Sequence, residues 1–186
     1  METKTLYTIT IFSENTVGLL NQITIIFTRR RINIETLSVS PSAIEGIHKF
    51  TITAFSDPDS IIKVVKQIDK RVGIIKTYCN TNEGLVHQEI AMYKVATDKL
   101  LQLGSIEDIV SRYNAHILEM TEDFTVFSKT GHYADTQAMF RELSERVGVL
   151  QFIRSGRVAI TKEKVEPLGD MLGVMEERVK HDKVMK

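Results

Sequence analysis

The sequence RVGII at residues 71–75 returns almost unchanged as RVGVL at residues 146–150. Each copy follows a segment in which apolar residues recur three and four positions apart, the spacing of one buried helical face. These residues are Ile61, Val64, Val65 and Ile68 before the first copy, and Met139, Phe140, Leu143 and Val147 leading into the second. Because self-similarity of this kind marks a duplicated structural unit, the sequence predicts the same fold twice.

The residues around the first copy read in the order β-α-β-β-α-β. Alternation of apolar and polar side chains predicts strands at residues 7–11, 37–40, 50–53 and 74–79. Helical spacing predicts a first helix with a buried face formed by Leu19, Ile23, Ile26 and Phe27. Asp57 and Pro58 supply an N-cap and a first-turn proline for the second helix.

The second half of the chain repeats this order. Strands are predicted at residues 90–96, 117–121, 124–128 and 149–153, with a tight hairpin turn at Glu122 and Asp123 between the middle two. The fold class is therefore α+β, with two tandem ferredoxin-like βαββαβ domains. The predicted limits are residues 1–80, a polar linker at 81–86, residues 87–162, and a C-terminal helical tail at 163–186. The tail carries helically spaced Leu168, Met171, Leu172 and Met175.

Composition excludes several classes of protein. The 186 residues are 42% hydrophobic and 26% charged, as in a soluble globular protein, and the formal net charge is +0. A protein that binds nucleic acid through phosphates usually has a basic excess, so this class is disfavoured. The single cysteine, Cys79, cannot form an internal disulfide or a thiolate metal site. No long apolar stretch indicates a secretory signal or a membrane span, and we expect a cytoplasmic protein.

The sequence lacks the motifs of a self-contained enzyme. There is no glycine-rich phosphate loop, no Cys-x-x-Cys and no His-Glu-x-x-His, and the five histidines do not have helical metal-ligand spacing. An RNA-recognition domain shares the strand order, but residues 48–52 lack its pattern of aromatic, basic and glycine residues. We therefore expect no catalytic residue, no metal and no cofactor bound by this chain.

The segment ENTVGLL at residues 14–20 joins the first strand to the first helix and is a candidate binding loop. Free amides at a helix start, together with the helix dipole, favour a carboxylate. Gly18 lets a small ligand approach the backbone, and Asn15 offers a donor and an acceptor. A purely structural interpretation is that Asn15 caps the helix and Gly18 eases a turn. Asn33 likewise has a structural alternative, a left-handed helix C-cap.

Four segments in order resemble those of the acetolactate synthase (acetohydroxyacid synthase) small subunits. ENTVGLL at 14–20 and RINIETLSV at 31–39 resemble the family's N-terminal ACT domain. HQEIAMYKV at 87–95 is similar to the opening of its second domain, and RSG at 154–156 to its closing motif. The resemblance extends to about Lys162, nearly the whole chain.

This resemblance implies a regulatory subunit in valine, leucine and isoleucine biosynthesis. Family members dimerise through their ACT domains, bind a branched-chain amino acid, usually valine, at the dimer interface, and stimulate a large catalytic subunit. The large subunit carries the thiamine diphosphate, magnesium and FAD. The residues implied are Asn15, Gly18 and Leu19 from one chain, Asn33 and Ile34 from the partner chain, Ser40 as a tuning position, and Lys94 and Arg154 as contacts with the large subunit.

Two alternatives remain open at this point. A free-standing amino-acid sensor would use the same loop without an enzyme partner. A nucleic-acid-binding regulator would use the basic run at residues 29–31 as a phosphate contact, although cations at a helix end also suit the helix dipole.

Overall fold

The computed structural model describes residues 4–102, 104 and 106–163. The first repeat contains β1 (Thr5–Glu14), α1 (Leu19–Arg29), β2 (Thr36–Pro41), β3 (Ile47–Ser56), α2 (Pro58–Asp69) and β4 (Ile74–Asn80). Its four antiparallel strands have the order β2-β3-β1-β4. This is the predicted ferredoxin-like arrangement.

The second repeat follows a short 3-10 turn at Asn82–Gly84. It contains β5 (Leu85–Ala96), α3 (Thr97–Gln102), α4 (Ile106–Tyr113), β6 (His116–Met120), β7 (Phe124–Gly131), α5 (Tyr133–Arg146) and β8 (Val149–Arg154). These strands have the order β6-β7-β5-β8, and a further strand, β9 (Val158–Thr161), pairs with β5. The α+β class with two such sheets is confirmed.

Three features differ from the sequence prediction. The first strand of the second repeat begins at Leu85 rather than at residue 90, and β9 pairs with this longer strand. An additional helix that was not predicted, α3, precedes α4. The predicted tail helix, with Leu168, Met171, Leu172 and Met175, lies outside the described residues.

Contacts divide the described residues into two compact units, 4–86 together with 159–163, and the described part of 87–158. In the first sheet, the face toward α1 and α2 forms a core of side chains that are at most 5% exposed. The predicted face of α1 lies in this core, as do Ile61, Val64 and Ile68 of α2. A second core forms in the same way around Tyr93 and Phe127 with α5. No helix in the described ranges combines the length and apolarity that a bilayer span needs.

The repeated glycine has a conformational reason. Gly73 and Gly148 have φ of +84° and +79°, the left-handed region that favours glycine, and each follows the end of a helix. The repeated sequence therefore marks the same turn from helix to strand in both repeats.

Asp57 caps α2 as predicted: its Oδ1 accepts from the Ser60 N–H at 2.8 Å, and Pro58 occupies the first turn. The Ser60 hydrogen bonds lower the pKa of Asp57 below its usual 3.8. Because the pKa of Asp57 is lowered in the folded state, the ionised cap stabilises the fold fully at pH values above the pKa of the unfolded chain. This contribution is lost as the pH falls through the pKa of the folded state.

We therefore expect Asp57→Ala to lower the melting temperature at neutral pH, with a difference from wild type that shrinks as the pH falls below about 4. Thermal unfolding followed by circular dichroism across this pH range checks it. Asp59→Ala, in the same helical turn but without this hydrogen bond, is the matched control. A melting difference for Asp57→Ala that is constant with pH would contradict the ionised cap.

Candidate functional site

Backbone hydrogen bonds to the turns before β4 and β3 hold the loop between β1 and α1. The Glu14 N–H donates to the Gly73 carbonyl oxygen at 2.9 Å, and the Asn15 N–H donates to that of Gly46 at 3.2 Å. Gly73 and Gly46 lie just before β4 and β3, so the loop is fixed to the same end of the sheet from two sides. The Asn15 side chain is exposed to solvent.

Gly18 is the N-cap of α1, with φ +85° and ψ −8°. A side chain at this φ is strained, although a Cβ would meet no atom within 4 Å. The role of Gly18 in a tight turn is confirmed. The structural alternative for Asn15 is wrong, because no side chain caps α1.

The first turn of α1 presents unpaired amides. Leu19 N–H donates to the Thr16 carbonyl at 3.3 Å, and Gln22 N–H to that of Gly18 at 3.2 Å. Within the described part of the chain, the amides of Gly18, Leu20 and Asn21 have no acceptor. No acidic residue lies in this turn to neutralise the helix dipole. The start of α1 can therefore bind a carboxylate.

Leu19 offers a ligand no free amide, because its own N–H donates to the Thr16 carbonyl. Its side chain is only 2% exposed and packs in the core of the first repeat beside Gly73. It can hold the start of α1 against the sheet, and its side chain does not face a solvent-accessible ligand.

Asn33 and Ile34 lie beyond the other end of α1. The helix has 11 residues, a rise of about 16 Å, so one chain does not bring these residues to Asn15 and Gly18. The Asn33 Nδ2 donates to Glu35 Oε1 at 3.3 Å, and Ile34 packs half-buried against the core.

The predicted left-handed C-cap at Asn33 is wrong. The residue with positive φ is Arg31, at +55°. The chain turns earlier because Ile32 N–H returns to the Phe27 carbonyl at 3.1 Å, closing the helix before Asn33 is reached.

Ser40 faces away from the helices. It pairs with Lys49, whose ammonium lies 5.3 Å from the centre of the Phe12 ring on the sheet face opposite α1. Its neighbour Val39 pairs with the core residue Phe50 and so belongs to the face that α1 covers. β2 is an edge strand, and Val39 remains exposed there.

Lys94 and Arg154 lie on opposite faces of the second sheet. The Lys94 ammonium is 4.0 Å from the centre of the Phe124 ring. Arg154 pairs in register with the core residue Ala91 and forms an ion pair with Glu89 at 3.2 Å. The structure therefore does not combine the two basic residues into one surface.

Other reactive groups form no recognisable centre. Cys79 is a free, partly buried thiol whose pKa is raised by burial. No group of three or more histidine, cysteine, aspartate or glutamate side chains in the described residues is arranged to hold a metal. The structure does bring His87 and His132 together, with ring centres 4.9 Å apart, which their separation in sequence does not indicate.

Two family models match the chain in succession. Residues 9–76 match the small subunit-like ACT domain of acetohydroxyacid synthase, and residues 88–163 match the small subunit of acetolactate synthase. The acetolactate synthase small subunit of Bacillus subtilis is 27% identical over 83% of this chain and 89% of its own length. A probable small subunit from Archaeoglobus fulgidus is 27% identical over 84% and 96%.

The fold also matches a solved structure. The crystal structure of the acetolactate synthase small subunit from Thermotoga maritima superposes with a TM-score of 0.76, covering 86% of this chain and 99% of that one at 24% identity. This likeness supports the fold, and the two successive family models support the assignment. The chain therefore belongs to the acetolactate synthase small-subunit family and carries an ACT domain in its first repeat.

Proposed function

We propose that this protein is the non-catalytic regulatory subunit of an acetolactate synthase, which binds valine and thereby controls a large catalytic subunit. The observation that carries the proposal is the set of unpaired amides at Gly18, Leu20 and Asn21, at the start of α1. An α-amino acid has a carboxylate that these amides can hold. Its ammonium group can be received by the exposed side-chain oxygen of Asn15.

The second half of the effector site comes from another copy of the chain. β2 is an edge strand with unpaired backbone groups on one side, so it can pair with β2 of a second copy and extend the sheet. In an antiparallel pair, the beginning of one β2 lies beside the end of the other. This arrangement carries Asn33 and Ile34 of the second copy toward the loop that contains Asn15 and Gly18. Binding of the effector and association of the two copies are therefore coupled.

Regulation then follows from linkage. An effector can inhibit only if it binds one conformation of the assembled enzyme more tightly than another. In this proposal the thiamine diphosphate, magnesium and FAD belong to the large subunit, and this chain contributes the effector site and the contact that transmits its occupancy.

Val39→Lys tests the shared edge. A lysine on an edge strand opposes strand pairing, so we expect the variant to be monomeric and to lose most of its valine binding. Val72→Lys, an equally drastic change at an exposed position away from β2, is the control. Analytical ultracentrifugation with and without valine distinguishes them. If Val39→Lys remains a dimer and binds valine normally, the proposed pairing of β2 between two copies is contradicted.

A thermal-shift panel against the twenty amino acids tests the effector. A ligand at a hundred times its dissociation constant that binds only the folded state adds about 2.7 kcal/mol, several degrees for a chain of this size. We expect the shift for valine and smaller ones for leucine and isoleucine. A shift together with failure to co-purify with the large subunit would instead identify a free-standing sensor.

A further inference from the structure

The first sheet has a second face, which points away from α1 and α2. We define five residues as its outer face: Thr8, Thr10, Phe12, Thr51 and Thr53. On β1 they alternate with Ile9 and Ile11, whose side chains belong to the core on the helical side. Thr8 pairs with Thr53 across the sheet, and the other outer residues follow at steps of two. The five side chains therefore share one surface.

The outer face is buried. Thr8 and Phe12 are 1% exposed, Thr10 and Thr53 are 3% exposed, and Thr51 is 7% exposed. Both helices of the first repeat pack on the opposite side of the sheet, in the core around β1. An antiparallel sheet with helices on one side commonly exposes its other face to water. A further segment of the chain is therefore needed to cover this face.

The second repeat shows how exposed such a face is without a cover. On β5 the core residues Ala91 and Tyr93 point toward the helices, and the residues next to them point the other way. Ile90 and Met92 of that other face are 48% and 38% exposed. Ile153, which pairs with Met92, is 66% exposed. Neighbouring strands alone therefore do not reduce the exposure of such residues to a few per cent.

The chain passes the edge of the outer face where the described residues end. After β9, the Lys162 N–H donates to the Gly84 carbonyl oxygen at 3.0 Å. Gly84 lies against the side chain of Asn80, the last residue of β4, and Asn80 pairs with Thr8 of the outer face. Residues 164–186 therefore continue from a point next to this surface.

The remaining sequence is long enough to cross the outer face. The helical spacing in the predicted tail extends over residues 168–179, and a helix of this length measures about 18 Å. Along β1, Thr8 and Phe12 are about 14 Å apart. One helix can therefore span the outer face from end to end.

Residues 164–177 also complement the outer face in polarity and charge. Their apolar positions recur three and four residues apart, at Leu168, Met171, Leu172 and Met175. Their acidic residues are Glu166, Asp170, Glu176 and Glu177. On the outer face, Phe12 pairs with Lys49 on β3 and with Lys76 on β4, so an apolar ring lies between two cations. An acidic helix with one apolar side fits this surface.

We propose that residues 164–186 form a helix that packs across the outer face of the first sheet. The apolar side of this helix contacts Phe12 and the threonine methyl groups, and its carboxylates lie near Lys49 and Lys76. The repeat that carries the candidate effector site then has three layers, with its sheet covered on both sides. This inference does not depend on the proposed function, because it concerns only the first repeat and the chain's own terminus.

The accessibility of a thiol on the outer face tests this packing. Thr10→Cys, in the full-length chain, replaces a buried side chain by one of similar size, and Cys79 on the helical side of the same sheet is a reference thiol. Adding Leu172→Asp places a charge in the apolar side of the proposed helix. We expect maleimide labelling at residue 10 to become at least about tenfold faster, with labelling of Cys79 unchanged. Mass spectrometry of digested protein measures both sites.

Val174→Asp is the matched control, because residues two positions apart do not share a helix face. We expect it to leave residue 10 as slowly labelled as in Thr10→Cys alone. Unfolding would accelerate both thiols, and in that case Leu172→Ala replaces Leu172→Asp, with labelling about threefold faster expected at residue 10 only. Slow labelling of residue 10 in a folded Leu172→Asp protein, or rapid labelling in Thr10→Cys alone, would overturn the inference.

Discussion

Gly18→Asp is expected to abolish valine binding while the protein remains folded. A carboxylate at this position would stand beside the unpaired amides of Leu20 and Asn21, where it would take the place of the ligand's carboxylate and repel it. The added Cβ meets no neighbouring atom, so the cost to stability is confined to the left-handed backbone, about 1 kcal/mol for aspartate.

The matched control is Gly148→Asp. Gly148 has nearly the same φ, +79° against +85°, and the same open space for a Cβ, but it lies before β8 in the second repeat. Both variants should lose similar stability, and only Gly18→Asp should lose valine binding in isothermal titration. Normal binding by Gly18→Asp, or equal loss in both variants, would show that the start of α1 does not hold the ligand.

Glu89→Ala is expected to lower the free energy of unfolding more than Gly18→Asp does. The carboxylate is the partner of both Thr136 and Arg154, and its removal leaves a charged guanidinium in a partly buried position. Breaking a buried ion pair costs about 3–5 kcal/mol, and the partial exposure of Arg154 reduces this to about 2–3 kcal/mol. Chemical denaturation of the wild type and variant measures the difference.

Glu89→Gln separates charge from hydrogen bonding. Its amide oxygen can still accept from Thr136, so we expect it to recover part of the loss, about 1 kcal/mol. A Glu89→Ala variant as stable as wild type would contradict a stabilising role for the contacts of this carboxylate with Thr136 and Arg154.

Much of the fold could be predicted from the sequence because its signals are local. The helical spacing of Leu19, Ile23, Ile26 and Phe27 identifies the buried face of α1, since a helix that packs on a sheet must be apolar on one side. The Asp57–Pro58 cap is likewise contained in adjacent residues. The repeated glycine indicates the duplication, because the turn in each repeat requires the same left-handed backbone conformation.

Features that depend on distant residues could not be predicted in this way. β9 pairs with β5, which is distant in sequence, and four residues carry too little periodicity to indicate a strand. The outward orientation of Ser40 depends on the register of β2 with β3, and a shift of one residue reverses it. Similarly, the partners of Arg154 are 65 residues away at Glu89 and on α5 at Tyr133.

We propose that this chain controls a catalytic subunit through an effector held at the start of α1. Acetolactate formation by the large subunit, measured while this protein is titrated in with and without valine, tests it most directly. We expect activity that rises with added protein to a plateau and falls when valine is present. Under Gly18→Asp, the stimulation should persist and the response to valine should disappear. Activity that does not change at any ratio of the two proteins would contradict the regulatory role.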